Sequence, residues 1–300
     1  MRVVSLLPAA TEMVSELGAI DLLVGVTHEC DHPEAVRHLP RMTATAIDVS
    51  TDAAAVDAQV RAAAASGAPL FALDAIALSS ARPDVILTQA LCDVCAVAEG
   101  DVRAIAAQCD PTPTLITLSA TTLDGVLEDI ARVGAAIGRD GAAAVWRESA
   151  TARMQRVHET LKAARAPRPR VAVIEWGDPL YAAGHWTPEM VRRAGGIDVL
   201  ATPGAHSVPV ALDAIRAADP EVILVAPCGY DLPRAITEAH RLRDLPGWAW
   251  ARDRRWAALD ANALLSRPGP RLIDGIEAIA HAVAPTLLPS PPTDHLALLS

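Results

Sequence analysis

Short apolar runs alternate with amphipathic or alanine-rich stretches along most of the chain. Residues 2–7 (RVVSLL) read as a buried strand, and 8–17 as a helix that carries Thr11 and Glu12 near its start. A second strand, 22–27, ends at His28, Glu29, Cys30 and Asp31, and a loop rich in His and Pro follows. The pattern then predicts a helix over 53–66, a short strand over 70–73, a helix over 73–80 and a strand over 85–88 that runs into Gln89, Cys92 and Cys95. A helix over about 100–109 and a strand over 114–118 complete this part. Repeated βα units of this kind predict a mostly parallel sheet with helices on its faces.

From 123 to 166 the strand signal disappears, and Ala, Arg, Glu and Leu dominate, with a break at 138–141. The stretch 140–165, as one helix, would span roughly 39 Å at 1.5 Å per residue, long enough to act as a rigid connector. Beyond Pro167 and Pro169 the alternation resumes, with strands at 171–175, 222–225 and 256–259 and helices at 188–194, 233–242 and 269–283. The expected organisation is an α/β fold of two Rossmann-like lobes, 1–120 and 168–285, joined by a helical connector, 121–167. A ligand cleft between the lobes goes with it. Residues 286–300, which include PSPP, are expected to be weakly ordered or an irregular strap.

Composition narrows the functional classes. The chain has 300 residues, 51% of them hydrophobic, enough for two cores. Its 26 Lys and Arg against 36 Asp and Glu give a net charge of -10, which opposes the phosphate backbone and argues against nucleic acid as a partner. The first apolar run, Val3 to Leu7, stops at Pro8, too short for a signal peptide's apolar region or a membrane span. The expectation is a cytoplasmic protein that is not membrane-inserted. No phosphate-binding GxxxxGK[ST] loop, no GxGxxG after the first strand and no Gly-x-Ser-x-Gly elbow occurs, so nucleotide-driven or acyl-transfer chemistry is not indicated.

Four of the five cysteines follow apolar runs: Cys30, Cys92, Cys95 and Cys228. If those runs are parallel strands, their carboxyl ends share one side of a sheet, where open α/β sheets place ligands. Thiolates there suit Zn or an iron-sulfur cluster, with His28 as an alternate donor. The competing reading is that each cysteine is a small buried hydrophobe. His28 and His185 are the leading nitrogen donors toward a tetrapyrrole metal, and Trp176 and Trp186 are candidates to flank a large flat ligand. Trp248, Trp250 and Trp256 read as packing.

Four stretches, VVSLLPAATEMVSELGAIDLLVGVTHECDHP, PDVILTQALCDVCAV, GHWTPEMVRRAGG and ALLSRPGPRLIDGIEAIA, resemble the helical-backbone (class III) periplasmic substrate-binding proteins, and within them the cobalamin-binding branch. The resemblance implies a binding protein that holds cobalamin or a related metal complex, such as a corrinoid, haem or metal chelate, with an ABC transporter as partner if exported. In a two-lobed binder the residues after the strands converge on the ligand, and from the first lobe these would be Thr11, Glu12, His28, Glu29, Asp31 and Gln89. From the second they would be Trp176, His185, Trp186, Gly229, Tyr230, Asn262 and Arg267. The alternative is a cytoplasmic metalloprotein or enzyme with a Cys/His metal or iron-sulfur centre in the same cleft.

Overall fold

The computed structural model describes residues 1–48, 53–66, 70–90 and 97–299. It divides into two compact units: unit 1 comprises Met1–Ala120 and Asp124–Arg147, and unit 2 comprises Thr121–Leu123 and Glu148–Ser300.

Unit 1 opens with β1 (Val3–Ser5), α1 (Pro8–Glu16), β2 (Leu23–Gly25) and β3 (Thr43–Thr45), then α2 (Ala53–Ser66), β4 (Phe71–Leu73) and α3 (Ala75–Ser80). It continues with β5 (Val85–Gln89), α4 (Glu99–Ala106), β6 (Thr114–Leu118), α5 (Leu123–Ala136) and the start of α6 (Asp140–Ala163). The main sheet is wholly parallel, in the order β2-β1-β5-β6, while β3 and β4 form a separate antiparallel pair. Every residue of β1 and β5 is buried, as strands covered by helices on both faces must be. Val4, Leu6, Met42, Leu78, Ile86 and Val102 pack together on one side of that sheet. The break between α5 and α6 has a local cause: Gly138 takes the left-handed conformation (φ +68°) and the Arg139 N–H closes onto the Gly134 carbonyl at 2.7 Å.

Unit 2 contains β7 (Arg170–Gly177), β8 (Leu180–Ala182), α7 (Thr187–Arg193), β9 (Ile197–Asp198), β10 (Val208–Pro209) and α8 (Leu212–Ala218). It ends with β11 (Val222–Val225), α9 (Leu232–Asp244), β12 (Arg255–Leu259), α10 (Ala261–Leu264), α11 (Leu272–Val283) and β13 (Leu296–Leu299). Its sheet runs β10-β8-β7-β11-β12-β13, with β9 also paired to β7. The centre, β7-β11-β12, is parallel, but β8 and β13 run antiparallel to it and β10 pairs antiparallel with β8, so this sheet is mixed. The end of the chain therefore differs from the expected loose strap. Its prolines precede Leu296, and the four residues after them pair along β12 from Trp256↔Leu299 to Leu259↔Leu296, closing an edge otherwise open to pairing. The reading of the tryptophans as packing holds for Trp248 and Trp256, buried edge to face at 5.2 Å, with Trp250 against the same core.

Within unit 2, Arg153 on α6 is fastened to α11 by a bidentate pair to Glu277 (Nε–Oε1 2.9 Å, Nη2–Oε2 2.6 Å) and a bond to Asp274 at 2.5 Å. These partners push the guanidinium pKa further up. Replacing Arg153 by Met removes charge-assisted bonds and leaves two carboxylates side by side. Arg153→Met is expected to lower unit 2 stability by about 1–2 kcal/mol in urea unfolding, after allowance for partial solvent exposure. An unchanged midpoint would show the clamp to be ornamental.

Candidate functional site

Each sheet reverses its strand order once, and in open α/β sheets ligands lie outside the carboxyl ends of the strands at such a point. In unit 1 the chain leaves β1 for β2 on one side and returns to β5 on the other, which puts the carboxyl ends of β1 and β5 at the reversal. In unit 2 the reversal lies between β7, whose hairpin partner β8 is on one side, and β11 on the other.

At the unit 1 strand ends the polar groups are largely engaged with one another. The Thr11 hydroxyl donates to Ser5 Oγ at 2.8 Å, and Cys30 Sγ lies 3.1 Å from Thr11 Oγ1 and 3.3 Å from Thr27 Oγ1. Glu12, Gln89 and Cys30 are buried, whereas Glu29 is exposed and Asp31 intermediate. Arg41 knits the 27–30 loop by donating to the carbonyls of Thr27 (2.8 Å) and Cys30 (3.0 Å). His28 Nδ1 meets Thr43 Oγ1 at 2.7 Å, its ring rests on Phe71, and its Nε2 is buried with no hydrogen-bond partner among the described residues. Burial first, and then the Arg41 charge, lower the His28 pKa, with the Thr43 contact opposing them. Both effects favour the neutral ring, whose Nε2 faces the interior.

Unit 2 presents a richer surface. Trp176, at the end of β7, meets Tyr230 edge to face at 5.6 Å, and the Arg234 guanidinium lies 3.8 Å over the tyrosine ring. The turn that carries Tyr230 is set by Gly229 (φ +74°), whose N–H donates to Ser266 Oγ at 3.1 Å, and by the Cys228 N–H bonded to the Glu175 carbonyl at 3.0 Å. Asn262 and Arg267 are joined, Nη2 to Oδ1, at 2.9 Å, and the Asn262 N–H donates to the Tyr230 carbonyl at 3.0 Å. Gly229, Tyr230, Asn262 and Arg267 thus belong to one connected surface with Trp176. Trp186 does not join it as an aromatic wall: it is buried, its indole N–H donates to the Leu265 carbonyl at 2.8 Å, and it packs as core.

His185 sits on the other side of β7, with its backbone in the left-handed region at φ +53°. The 204–207 segment is drawn against it, with the His185 N–H on the Ala205 carbonyl (2.6 Å) and the Gly204 N–H on the His185 carbonyl (2.9 Å). His185 Nε2 and His206 Nδ1 are 3.2 Å apart. Ser207 Oγ donates to Glu175 Oε2 in a very short bond and accepts from the Gly184 N–H. Burial raises the Glu175 pKa against the hydrogen bonds it receives from Ser207 and the Gly184 backbone, and burial followed by His206 lowers that of His185. At the other end of the loop, Asp198 Oδ1 accepts from the N–H groups of Leu200 (2.9 Å) and Ala201 (3.0 Å). Burial pushes Asp198 up to about 6 against those bonds. Sequence reasoning did not single out His206, Ser207 or Arg234; the only local signal for the first two is AHS just after a Pro-Gly turn, ahead of a short apolar run.

The cysteine-centred Zn or iron-sulfur site is not supported. Among the described residues no three His, Cys, Asp or Glu side chains are grouped to hold a metal ion. Cys30 behaves as a small buried side chain between two threonines, Cys228 is exposed on unit 2, and Cys92 and Cys95 lie outside the described residues.

A sequence model of periplasmic binding proteins matches residues 3–251. The chain belongs to the periplasmic binding protein family. This membership corrects the expectation of a cytoplasmic location, since the family is periplasmic; the short apolar run after Met1 was the wrong guide. No curated protein matches the sequence significantly. Among solved structures, a periplasmic haem-binding protein from Pseudomonas aeruginosa matches with a TM-score of 0.74 at 23% identity, over 100% of this chain and 98% of that one. The haem-binding protein RhuT from Roseiflexus sp. RS-1 (TM-score 0.65, 20% identity, 94% and 97% covered) and the vitamin B12 binding protein BtuF of Vibrio cholerae (0.65, 21%, 94% and 96%) share the fold. At such identities the likeness extends to the fold alone. No helix among the described residues is long and apolar enough to cross a membrane.

Two predictions follow from the loop facing β7. A Cβ on Gly184 would stand 2.5 Å from Ala205 O, His206 C and Ser207 N, all backbone atoms. Gly184→Ala is therefore expected to lower stability by about 1–3 kcal/mol and to part the two imidazoles, seen by NMR as loss of their shared N–H; a variant with native melting and native imidazole signals would contradict this. Asp198 titrates at about 6 when folded, above its ordinary 3.8, so the folded state holds the proton more tightly. Its contribution favours folding below about pH 4 and is lost as pH rises through 6. Asp198→Asn keeps an acceptor for both N–H groups without the buried charge, so its stability relative to the parent should improve by about 1–3 kcal/mol between pH 4 and 7.5. A difference independent of pH would contradict the assignment.

Proposed function

We propose that the protein binds a metal tetrapyrrole, a corrinoid or haem, at the carboxyl ends of β7 and β11, and hands it to an ABC transporter. The observation that carries this reading is the Trp176–Tyr230–Arg234 arrangement, an indole set against a tyrosine with a guanidinium above it, at the strand reversal of unit 2. A flat macrocycle with an anionic rim matches it in both respects. The ring gains contact area on the indole, and rim carboxylates or a phosphate gain a planar cation. The buried Trp176 Nε1 has no hydrogen-bond partner among the described residues, which leaves a donor available beside the surface.

Solved structures of the same fold include proteins described as binding haem and vitamin B12, which supports the ligand class. Within that class the stretches GHWTPEMVRRAGG and PDVILTQALCDVCAV, with their likeness to the cobalamin-binding branch, favour a corrinoid. The cysteine-centred metalloprotein or enzyme finds no supporting observation.

Titration of the purified protein with hydroxocobalamin and with haemin, followed by tryptophan fluorescence, is expected to show saturable 1:1 quenching and co-elution of ligand with protein. Trp176→Ala should weaken binding by at least about tenfold, as loss of an aromatic anchor does, while the thermal transition survives. Absence of saturable quenching with both ligands, or full affinity in Trp176→Ala, would overturn the reading.

A further inference from the structure

The aromatic surface of unit 2 is assembled from two carriers. Trp176 rides on the end of β7, while Tyr230 and Arg234 ride on the entry to α9 and on its first turn, where Asp231 caps the helix by accepting from the Arg234 N–H at 3.1 Å. The angle of 68° between the Trp176 and Tyr230 rings therefore depends on how the end of β7 is seated against α9. The β7–β8 ladder does not fix it alone, because its register shifts between Ile174 and Trp176.

A second pair on α9 supplies the join. Glu238 and Arg241 lie three residues apart and form a bidentate pair, Nε–Oε2 2.8 Å and Nη2–Oε1 2.7 Å. Glu238 is buried, and its carboxyl group fills the space that a side chain at Gly177 would take: a Cβ there would overlap Glu238 Oε1 and stand 2.8 Å from Cδ. Arg241 Nη2 also donates to the Gly177 carbonyl at 3.3 Å. The Glu238 bonds raise the Arg241 pKa against burial, and Asp178 and Tyr230 reinforce the rise, so this guanidinium faces both the turn after β7 and the entry to α9. A carboxylate held out of water is costly once its partner leaves, which keeps the pair in place. Gly177 directly follows Trp176, so whatever holds Gly177 holds the backbone of the indole one peptide away.

We propose that Glu238 and Arg241 are positioning residues for the ligand surface: the pair, bound to Gly177, sets the angle at which Trp176 meets Tyr230. Neither side chain needs to touch the ligand. The proposal rests on the reading of that surface as a tetrapyrrole site and assigns to it the support that a preorganised contact requires.

The test uses the full chain and has two readouts. The first needs no ligand: the indole N–H resonance of Trp176, identified by its absence from Trp176→Ala, is sensitive to the orientation of the neighbouring Tyr230 ring. Glu238→Gln, which keeps the size of the side chain and removes its charge, should move that resonance and leave those of the buried Trp248 and Trp256 in place. The second readout is affinity, with hydroxocobalamin and haemin as probes. Glu238→Gln should weaken binding about tenfold in the wild-type background and should add nothing in the Trp176→Ala background, because it acts through that indole. Arg241→Met, which removes the join from its more exposed partner, should have both effects as well. An unmoved Trp176 resonance, an unchanged affinity, or a loss equally large without the indole overturns the assignment although tetrapyrrole binding stands. A wild type that binds neither probe overturns the functional reading, and the positioning role falls with it.

Discussion

A strand buried on both faces is apolar along most of its length and carries polar side chains only toward its carboxyl end, as Ser5 of β1 and Thr88 and Gln89 of β5 do, and this constraint shapes both units. Val3 and Val4 of β1, Val171 to Ile174 of β7 and Val222 to Val225 of β11 are sealed from water, so chemistry is expelled to the residues that follow them. Trp176 and Gln89 lie at the ends of β7 and β5, Tyr230 and Asn262 shortly after β11 and β12, and Thr11 on the helix that follows β1. The parallel core fixes the direction in which those ends point, and the strand reversal opens space between them.

On unit 2 the two sides of β7 are organised by different forces. On the β11 side the arrangement is aromatic and cationic, Trp176 against Tyr230 and Arg234 over the tyrosine ring. On the β8 side it is a close backbone approach: Gly184 admits the 205–207 segment, Ser207 ties that segment to Glu175, and the two imidazoles come together as a result. Glu175 and Trp176 are neighbours in sequence, at a shift in the β7–β8 register, so one strand end positions both arrangements.

Long periodic elements were legible in the sequence. The helix at Ala53–Ser66 and the strands at Thr114–Leu118 and Val222–Val225 fall where the pattern puts them, and β5 extends one residue further. Two- and three-residue strands such as β8, β9 and β10 carry too few positions for any period, and α8 is too short to stand out. The mixed character of the second sheet was hidden for that reason. At the site, the rule that chemistry follows buried strands led to Trp176, His185 and Tyr230 as candidates. It could not single out His206, which meets His185 through a contact across 21 residues made by a loop with no periodic signal. It also gave the cysteines too much weight, because spacing alone does not distinguish a thiolate donor from a thiol seated between Thr11 and Thr27.

The most direct measurement is hydrogen–deuterium exchange of the full chain with and without hydroxocobalamin or haemin. If the ligand lies at the carboxyl ends of β7 and β11, amide protection should rise in peptides covering 176–186, 204–208 and 226–234. Protection confined to other segments, or none at saturating ligand, would contradict the account.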